Sequence, residues 1–216
     1  MNSDKSPYEI LYEDDQVIAV YKKRDVLTLR TNDPKTFGRN LYHYLHVYLA
    51  KKNEKLYIVH RLDYQTSGVL IFAKSGKMKQ TLQDAFKHHE VERDYEAVIR
   101  EKIPLNEPFH VEMKLSSDGK GGKVYEDSEG KTAVTDFTSV NYIQIGTALK
   151  IRISTGRRAQ IRLALAHEGF HLLGDVAYSN CPAKRMYLNA YRLKFLDDIG
   201  LEKTEFSVKP LWIQEE

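Results

Sequence analysis

Short runs of β-branched and aromatic residues recur along this chain, and they crowd its second half without regular alternation with helices. The runs are QVIAVYK (16–22), YIVH (57–60), VLIFAK (69–74), DYEAVIR (94–100), TAVTDFTSV (132–140), ALKIRIS (148–154) and MYLNAYRLKF (186–195), and each reads as a strand. Helical spacing appears in three places. Leu41, Leu45, Tyr48 and Leu49 recur between Gly38 and Lys51, Met78, Leu82, Ala85 and Phe86 recur after Ser75, and a third helix fits Arg158 to His167. This order argues for an α+β fold with a mixed, largely antiparallel sheet flanked by helices. A length of 216 residues, 42% of them hydrophobic, is enough to bury the core of one domain. The expected organisation is a short loose tail over residues 1–7 and a single domain over 8–216.

Composition excludes several classes. No apolar run approaches the roughly 18 residues that cross a bilayer, and the amino terminus lacks the apolar stretch of a secretory signal. One cysteine, Cys181, leaves no partner for an internal disulfide, which fits a reducing cytoplasm. It reads as a small surface or core residue. The glycine-rich segment 116–131 reads as a mobile loop inside the domain, and its SEGKT lacks the leading glycine of a phosphate-binding loop because Tyr125 stands there. The histidine pairs His43/His46 and His88/His89 have no thiolate or evident carboxylate beside them, so no metal site is expected. Net charge is only +3, yet basic residues cluster at Lys22–Arg24, at Lys51, Lys52 and Lys55, and at Arg157, Arg158 and Arg162. Acidic residues collect elsewhere, at Glu13–Asp15, Asp197, Asp198 and the last two positions. That distribution permits a basic face for nucleic acid.

The most informative stretch is HRLDYQTSGVLIFAK (60–74). Locally it is strand, turn, strand, in which Asp63, Thr66 and Ser67 bond nearby amides and Gly68 takes a positive backbone dihedral. Turn chemistry does not account for His60, Arg61 and Asp63 crowding the mouth of a turn between two apolar strands, which projects a carboxylate from a rigid platform.

HRLD, followed by TSG and AK, resembles the signature of the RluA-type RNA pseudouridine synthases. VERDYEAVIR (91–100) is similar to that family's next block, and STGRRAQIRLALAHEGFHLLGDVAYS (154–179) to its third, with TGR, QIR and GD followed by tyrosine all present. The blocks and their connections cover most of residues 16–195. The resemblance implies a catalytic cleft across the sheet that presents Asp63 as the catalytic carboxylate. It implies Tyr95 over the target base and Arg162 as the guanidinium paired with Asp63. It further implies RNA contacts by Arg61, Thr66, Arg157, Arg158 and Gln160, with Arg158 and Arg162 sharing a helix face. Without the resemblance, Tyr95 reads as a core aromatic and Arg162 as a surface charge.

The implied reaction breaks the bond from ribose to the uracil nitrogen, turns the base and rejoins it through ring carbon five. An ionised carboxylate serves as nucleophile or as base in such a step. No redox or hydrolytic event occurs overall, so no cofactor or metal is implied. The expected partner is structured ribosomal or transfer RNA with a flipped uridine, in the cytoplasm, and no separate S4-type RNA-binding domain is expected before the catalytic region. The family pattern is altered at Ala159 and Ala164, where histidines are usual, at Arg93 for lysine, between Gly169 and Leu173, and at YKKRD in place of a KPxG-like turn. These changes bear on the RNA target. A catalytically silent RNA-binding relative is the alternative reading; a carboxylate-based glycoside hydrolase lacks a second carboxylate in a comparable motif.

Overall fold

Alternation of side chains across a pleated strand is the rule that builds most of this molecule. The structure, a computed structural model, describes residues 6–119 and 122–213. Its elements in chain order are β1 (Tyr8–Glu13), β2 (Val17–Lys22), α1 (Leu41–Ala50), β3 (Tyr57–Ile58), β4 (Ser67–Ala73), α2 (Gly76–Lys87), β5 (Val91–Ile99) and β6 (Pro108–Ser117). They continue with β7 (Val124–Glu126), β8 (Lys131–Ile143), β9 (Gly146–Ile153), α3 (Gln160–His167), β10 (Leu188–Phe195) and β11 (Glu205–Ser207). Extended strands and, among the described residues, three α-helices and a one-turn helix at Pro34–Thr36 make this the α+β fold that the sequence pattern calls for.

The chain divides into two compact units, residues 1–92 with 192–208 and residues 93–191 with 209–216. Two of the crossings fall inside strands, at 92/93 in β5 and at 191/192 in β10. No Gly- or Pro-rich linker marks them, which is why the sequence reads as one continuous domain. The expected tail at residues 1–7 lies mostly outside the described residues.

In the first unit β2 pairs antiparallel with β1 and with β4, β3 adds to the end of β4, and β11 pairs with β10. Val17, Ala19, Val69, Ile71 and Ala73 share a core with Met78, Leu82 and Ala85 of α2 and with Leu193, Phe195 and Phe206. The alternate residues Ile18, Val20, Leu70 and Phe72 are buried too, so β2 and β4 read as continuous apolar runs. Both helices start where a polar side chain takes up a terminal amide. Asn40 accepts from the His43 amide at 3.0 Å, and Ser75 from the Met78 amide at 3.1 Å.

In the second unit the strand order is β5-β9-β8-β6-β7, with every pairing antiparallel. Strand β6 alternates: Val111, Met113 and Leu115 are buried, while His110, Glu112 and Lys114 are exposed. The buried set packs with Ala97, Ile99, Ala133, Phe137, Leu149 and Ile151, and with Ile161, Ala164 and Leu165 of α3. Phe109 stacks on Phe137 with ring centroids 4.6 Å apart.

Two expectations are corrected here. Segment 116–131 is not loop throughout, because β7 pairs with Leu115–Ser117 and buries Val124; its glycine-rich flanks conceal three strand residues. Residues 120 and 121 of that segment lie outside the described residues. Helix α3 begins at Gln160, not at Arg158, because Ala159 adopts a left-handed conformation (φ 54°) that α-helix cannot include. Arg158 therefore precedes the helix and does not share its face with Arg162.

Candidate active site

Asp63 stands, half-buried, in the loop between β3 and β4, and the residues around it are pinned from several directions. Leu62 is buried and both of its backbone groups meet Thr28: the Thr28 hydroxyl donates to the Leu62 carbonyl at 2.8 Å, and the Leu62 amide donates to Thr28 Oγ1 at 3.2 Å. His60 accepts the Ile71 amide on Nε2 at 3.1 Å and sets its ring 4.7 Å from that of Phe86. Across the turn the Thr66 amide donates to the Asp63 carbonyl at 3.2 Å, and Gly68 has φ 140°, the positive dihedral expected of it. Arg61 is exposed.

Beneath this loop lies a residue that sequence reasoning missed. Lys22, at the end of β2, is fully buried, and its ammonium donates to three carbonyls: Val26 at 2.8 Å, Lys23 at 3.2 Å and Tyr64 at 3.2 Å. Burial lowers its pKa to about 7, against the opposing pull of the Asp63 and Asp25 carboxylates. Lys22 thus ties β2 to the residue after Asp63 and places a titrating charge near the candidate carboxylate. The only signal in the sequence is its place in YKKRD, where the family's KPxG-like turn is altered.

Tyr95 and Arg162 belong to the second unit. Tyr95, paired with Ile151 across β5 and β9, is half-buried and packs against the main core of that unit. Its neighbours point the other way. Asp94 takes a two-bond contact from Arg152 (2.7 and 3.1 Å), and Glu96, fully buried, accepts from Asn189 at 2.7 Å and from the amides of Leu211, Trp212 and Ile213 at 2.7–3.2 Å.

Arg162 projects from α3, and its guanidinium is held as a planar fork. Nε donates to Asp175 Oδ2 at 2.8 Å and Nη2 to Asp175 Oδ1 at 2.7 Å, while Cζ sits 4.7 Å over the Tyr178 ring. Asp175 thus occupies the Nε/Nη2 edge of the guanidinium. That aspartate is fully buried and also accepts the amides of Ala177 and Tyr178, at 3.0 and 3.2 Å. Gly174 before it has φ 84°, and any Cβ there would collide with the Arg185 carbonyl, so the glycine is what lets Asp175 reach Arg162. The GD of the third block was visible in the sequence; its function as the clamp on Arg162 was not.

The remaining expected contacts fall into two groups. Arg157 is exposed, with Nε donating to the Thr132 carbonyl at 3.0 Å, and Arg158 donates from Nη2 to the Gly122 carbonyl. Both line a groove of about 330 Å³ with Ser116, Ser117 and Lys131. Thr66 and Gln160 are 3% and 2% exposed and offer a ligand little surface. The Gln160 amide is spent inside the protein: its oxygen accepts from Thr155 Oγ1 at 2.7 Å and from the Arg157 amide at 3.0 Å, and its nitrogen donates to Val134 O at 2.8 Å and Thr135 Oγ1 at 3.0 Å. Gln160 therefore fixes the turn that carries Arg157. Among the described residues no group of three or more His, Cys, Asp and Glu side chains is placed to hold a metal.

The family model described as RNA pseudouridylate synthase matches residues 16–167. The ribosomal large subunit pseudouridine synthase D of Salmonella typhimurium is 32% identical over 181 residues, covering 82% of this chain and 54% of its own length. Its Vibrio cholerae counterpart is 31% identical over 219 residues, covering 93% and 66%. The chain spans little more than half the length of the first of these curated relatives. Among solved structures, human RNA Pseudouridylate Synthase Domain Containing 1 superposes with a TM-score of 0.74 at 22% identity, over 94% of this chain and 83% of that one, a likeness of fold. With the family model spanning residues 16–167, from β2 through α3, this chain belongs to the RNA pseudouridylate synthase family.

Proposed function

We propose that this protein isomerises selected uridines in RNA to pseudouridine, with Asp63 as the catalytic carboxylate. The observation that carries the reading is the rigid mounting of Asp63, whose loop is fixed by Thr28, His60 and Lys22 in a member of this family. A carboxylate held in one place attacks, or takes a proton from, a nucleoside without first being ordered. The Asp63 carboxylate in turn opposes the loss of the Lys22 proton that burial promotes. Tyr95 supplies the aromatic surface for the target base. Arg162 supplies the fixed cation, oriented by Asp175. Arg61, Arg157 and Arg158 meet phosphates, whereas Thr66 and Gln160 act by positioning their neighbours.

The uracil is detached, turned and rejoined through carbon five, and the proton leaving that carbon is replaced by one on nitrogen. Atoms and electrons balance within the substrate and water, with no cofactor. The names of the curated relatives favour large-subunit ribosomal RNA over transfer RNA as the substrate. No helix among the described residues is long and apolar enough to cross a membrane, and the cytoplasm is the proposed location. The test is to incubate the purified protein with an unmodified large-subunit ribosomal transcript and map pseudouridine by chemical labelling and mass spectrometry. Conversion at one or a few uridines supports the proposal. Tight RNA binding with no conversion would instead favour the binding-only relative.

A further inference from the structure

A second feature of the first unit is unused by the reaction described above. Leu29, Arg30, Phe37, Tyr42, His43 and His46 line an open groove of about 730 Å³, a size typical of small-ligand sites. Phe37 is 53% exposed, a large apolar ring presented to solvent, and Arg30 Cζ lies 5.0 Å over it. On the first turns of α1, Tyr42 and His46 lie with ring centroids 6.3 Å apart and 29° between their planes, and the Tyr42 hydroxyl is anchored to the Leu56 carbonyl at 3.0 Å. The groove thus offers several planar surfaces.

The segment that carries the groove is one-sided in charge, with Arg30 in the lining and Lys35 and Arg39 elsewhere on the same segment. Residues 30–46 contain Arg30, Lys35 and Arg39 and a single acid, Asp33. That acid is occupied in capping the one-turn helix Pro34–Thr36, where its side chain accepts the Lys35 amide at 2.9 Å. The three cations are exposed and have no ion-pair partner among the described residues. Exposed aromatic and guanidinium planes beside unpaired cations match one ligand chemistry well: a base to stack on and a phosphate to attract.

We propose that this groove is a second RNA contact, binding an unpaired nucleotide of the substrate that lies outside the uridine pocket, with its base against Phe37 and Arg30. The inference rests on RNA as the substrate. It gives the protein a way to select an RNA by the single-stranded segment beside the target, independently of the chemistry at Asp63.

The full chain is titrated into a fluorescein-labelled single-stranded RNA of mixed sequence, and turnover on the ribosomal transcript is measured in parallel. Phe37→Ala is expected to weaken binding roughly 5- to 150-fold, the range for loss of one stacked base. Phe37→Trp should retain affinity, and Arg39→Ala should lower the salt slope of binding by about 0.7. Phe37 and Arg39 are exposed, so unchanged melting temperatures will verify that the variants are folded. Should Phe37→Ala bind within twofold of wild type while the wild type converts uridine, the groove does not contact RNA and the inference falls, with the enzymatic reading intact. Binding weakened by Phe37→Ala in a protein that converts no uridine supports the groove and removes the enzymatic reading. Absence of RNA binding by the wild type overturns both.

Discussion

Two buried charges, one in each compact unit, are held differently. Lys22, under the Asp63 loop, is surrounded by three neutral carbonyls and owes no hydrogen bond to a carboxylate among those that fix it. Asp175, behind Arg162, is matched by a guanidinium in two-bond geometry and by two amides. A lysine desolvated without a bonded counter-charge loses proton affinity, whereas a guanidinium keeps its charge across the working pH range. The first unit therefore carries a support that titrates near neutrality, and the second an ion pair in two-bond geometry. The proposed carboxylate is mounted by a group that titrates, and the proposed cation by an ion pair.

The sharpest way to break that contrast is Asp175→Ala. It removes the two-bond carboxylate from the largely buried Arg162 guanidinium, and breaking such a pair costs about 3–5 kcal/mol. Denaturant unfolding should show that loss, and activity should fall with it because Arg162 is no longer oriented. Arg162→Lys should cost less stability yet restore little activity, since an ammonium cannot make the planar two-bond contact. Equal activity of Arg162→Lys and wild type would reduce Arg162 to a structural charge.

The next largest effect is a dependence on pH. Lys22 has a pKa of about 7 in the folded protein against 10.5 for the free side chain, so between those values the unfolded chain binds more protons. Stability from this group is at its lowest below pH 7, rises with pH through the window from about 7 to 10.5, and is level above it. Between pH 7.5 and 9.5 the gain is about 2–3 kcal/mol at 1.36 kcal/mol per pH unit. Lys22→Met should remove that slope when the two proteins are unfolded in parallel across the range. A wild-type slope matching that of the methionine variant would mean that Lys22 keeps its ordinary proton affinity and that the contrast between the units is false.

A smaller effect is expected at the turn before α3. Ala159 pays a left-handed conformation of about 1–2 kcal/mol that glycine adopts freely, less the extra freedom glycine brings to the unfolded chain. Ala159→Gly should raise stability by about 0.5–1 kcal/mol in thermal unfolding. A loss of stability would show that the methyl group, buried in the core of the second unit, contributes more than the strain removes.

What could be read from the sequence follows from how local each signal is. Helix α2 announces itself through Ser75 ahead of apolar residues at helical spacing, α1 through that spacing alone, and β2 and β4 through continuous apolar runs. Strand β6 carries the period-two pattern Phe109, Val111, Met113, Leu115 but escapes notice, because charged residues fill the exposed positions and no β-branched run stands out. The start of α3 depends on the backbone of Ala159, which composition does not encode. At the candidate site Asp63 and Arg162 are legible because motifs hold them. Lys22 and Asp175 are not, since a lysine at a strand end is usually solvated and the pairing of Arg162 with Asp175 spans a turn whose geometry Gly174 decides. Thr66 and Gln160 sit in recognisable motifs, yet burial directs their bonds inward. A motif marks a residue as constrained without saying whether RNA or the protein itself imposes the constraint.

The most direct test of the central claim is release of tritium from RNA labelled at carbon five of uridine, because that proton leaves only when the base is rejoined through that carbon. Wild type and Asp63→Asn are compared at matched, saturating protein with RNA affinity measured alongside. The amide is close to isosteric with the carboxylate but neither attacks nor accepts a proton as it does. Wild type should release tritium in step with pseudouridine formation, and Asp63→Asn should bind RNA within a few-fold of wild type and release none. Tritium release by Asp63→Asn at a measurable rate would contradict the assignment of Asp63 as the catalytic carboxylate.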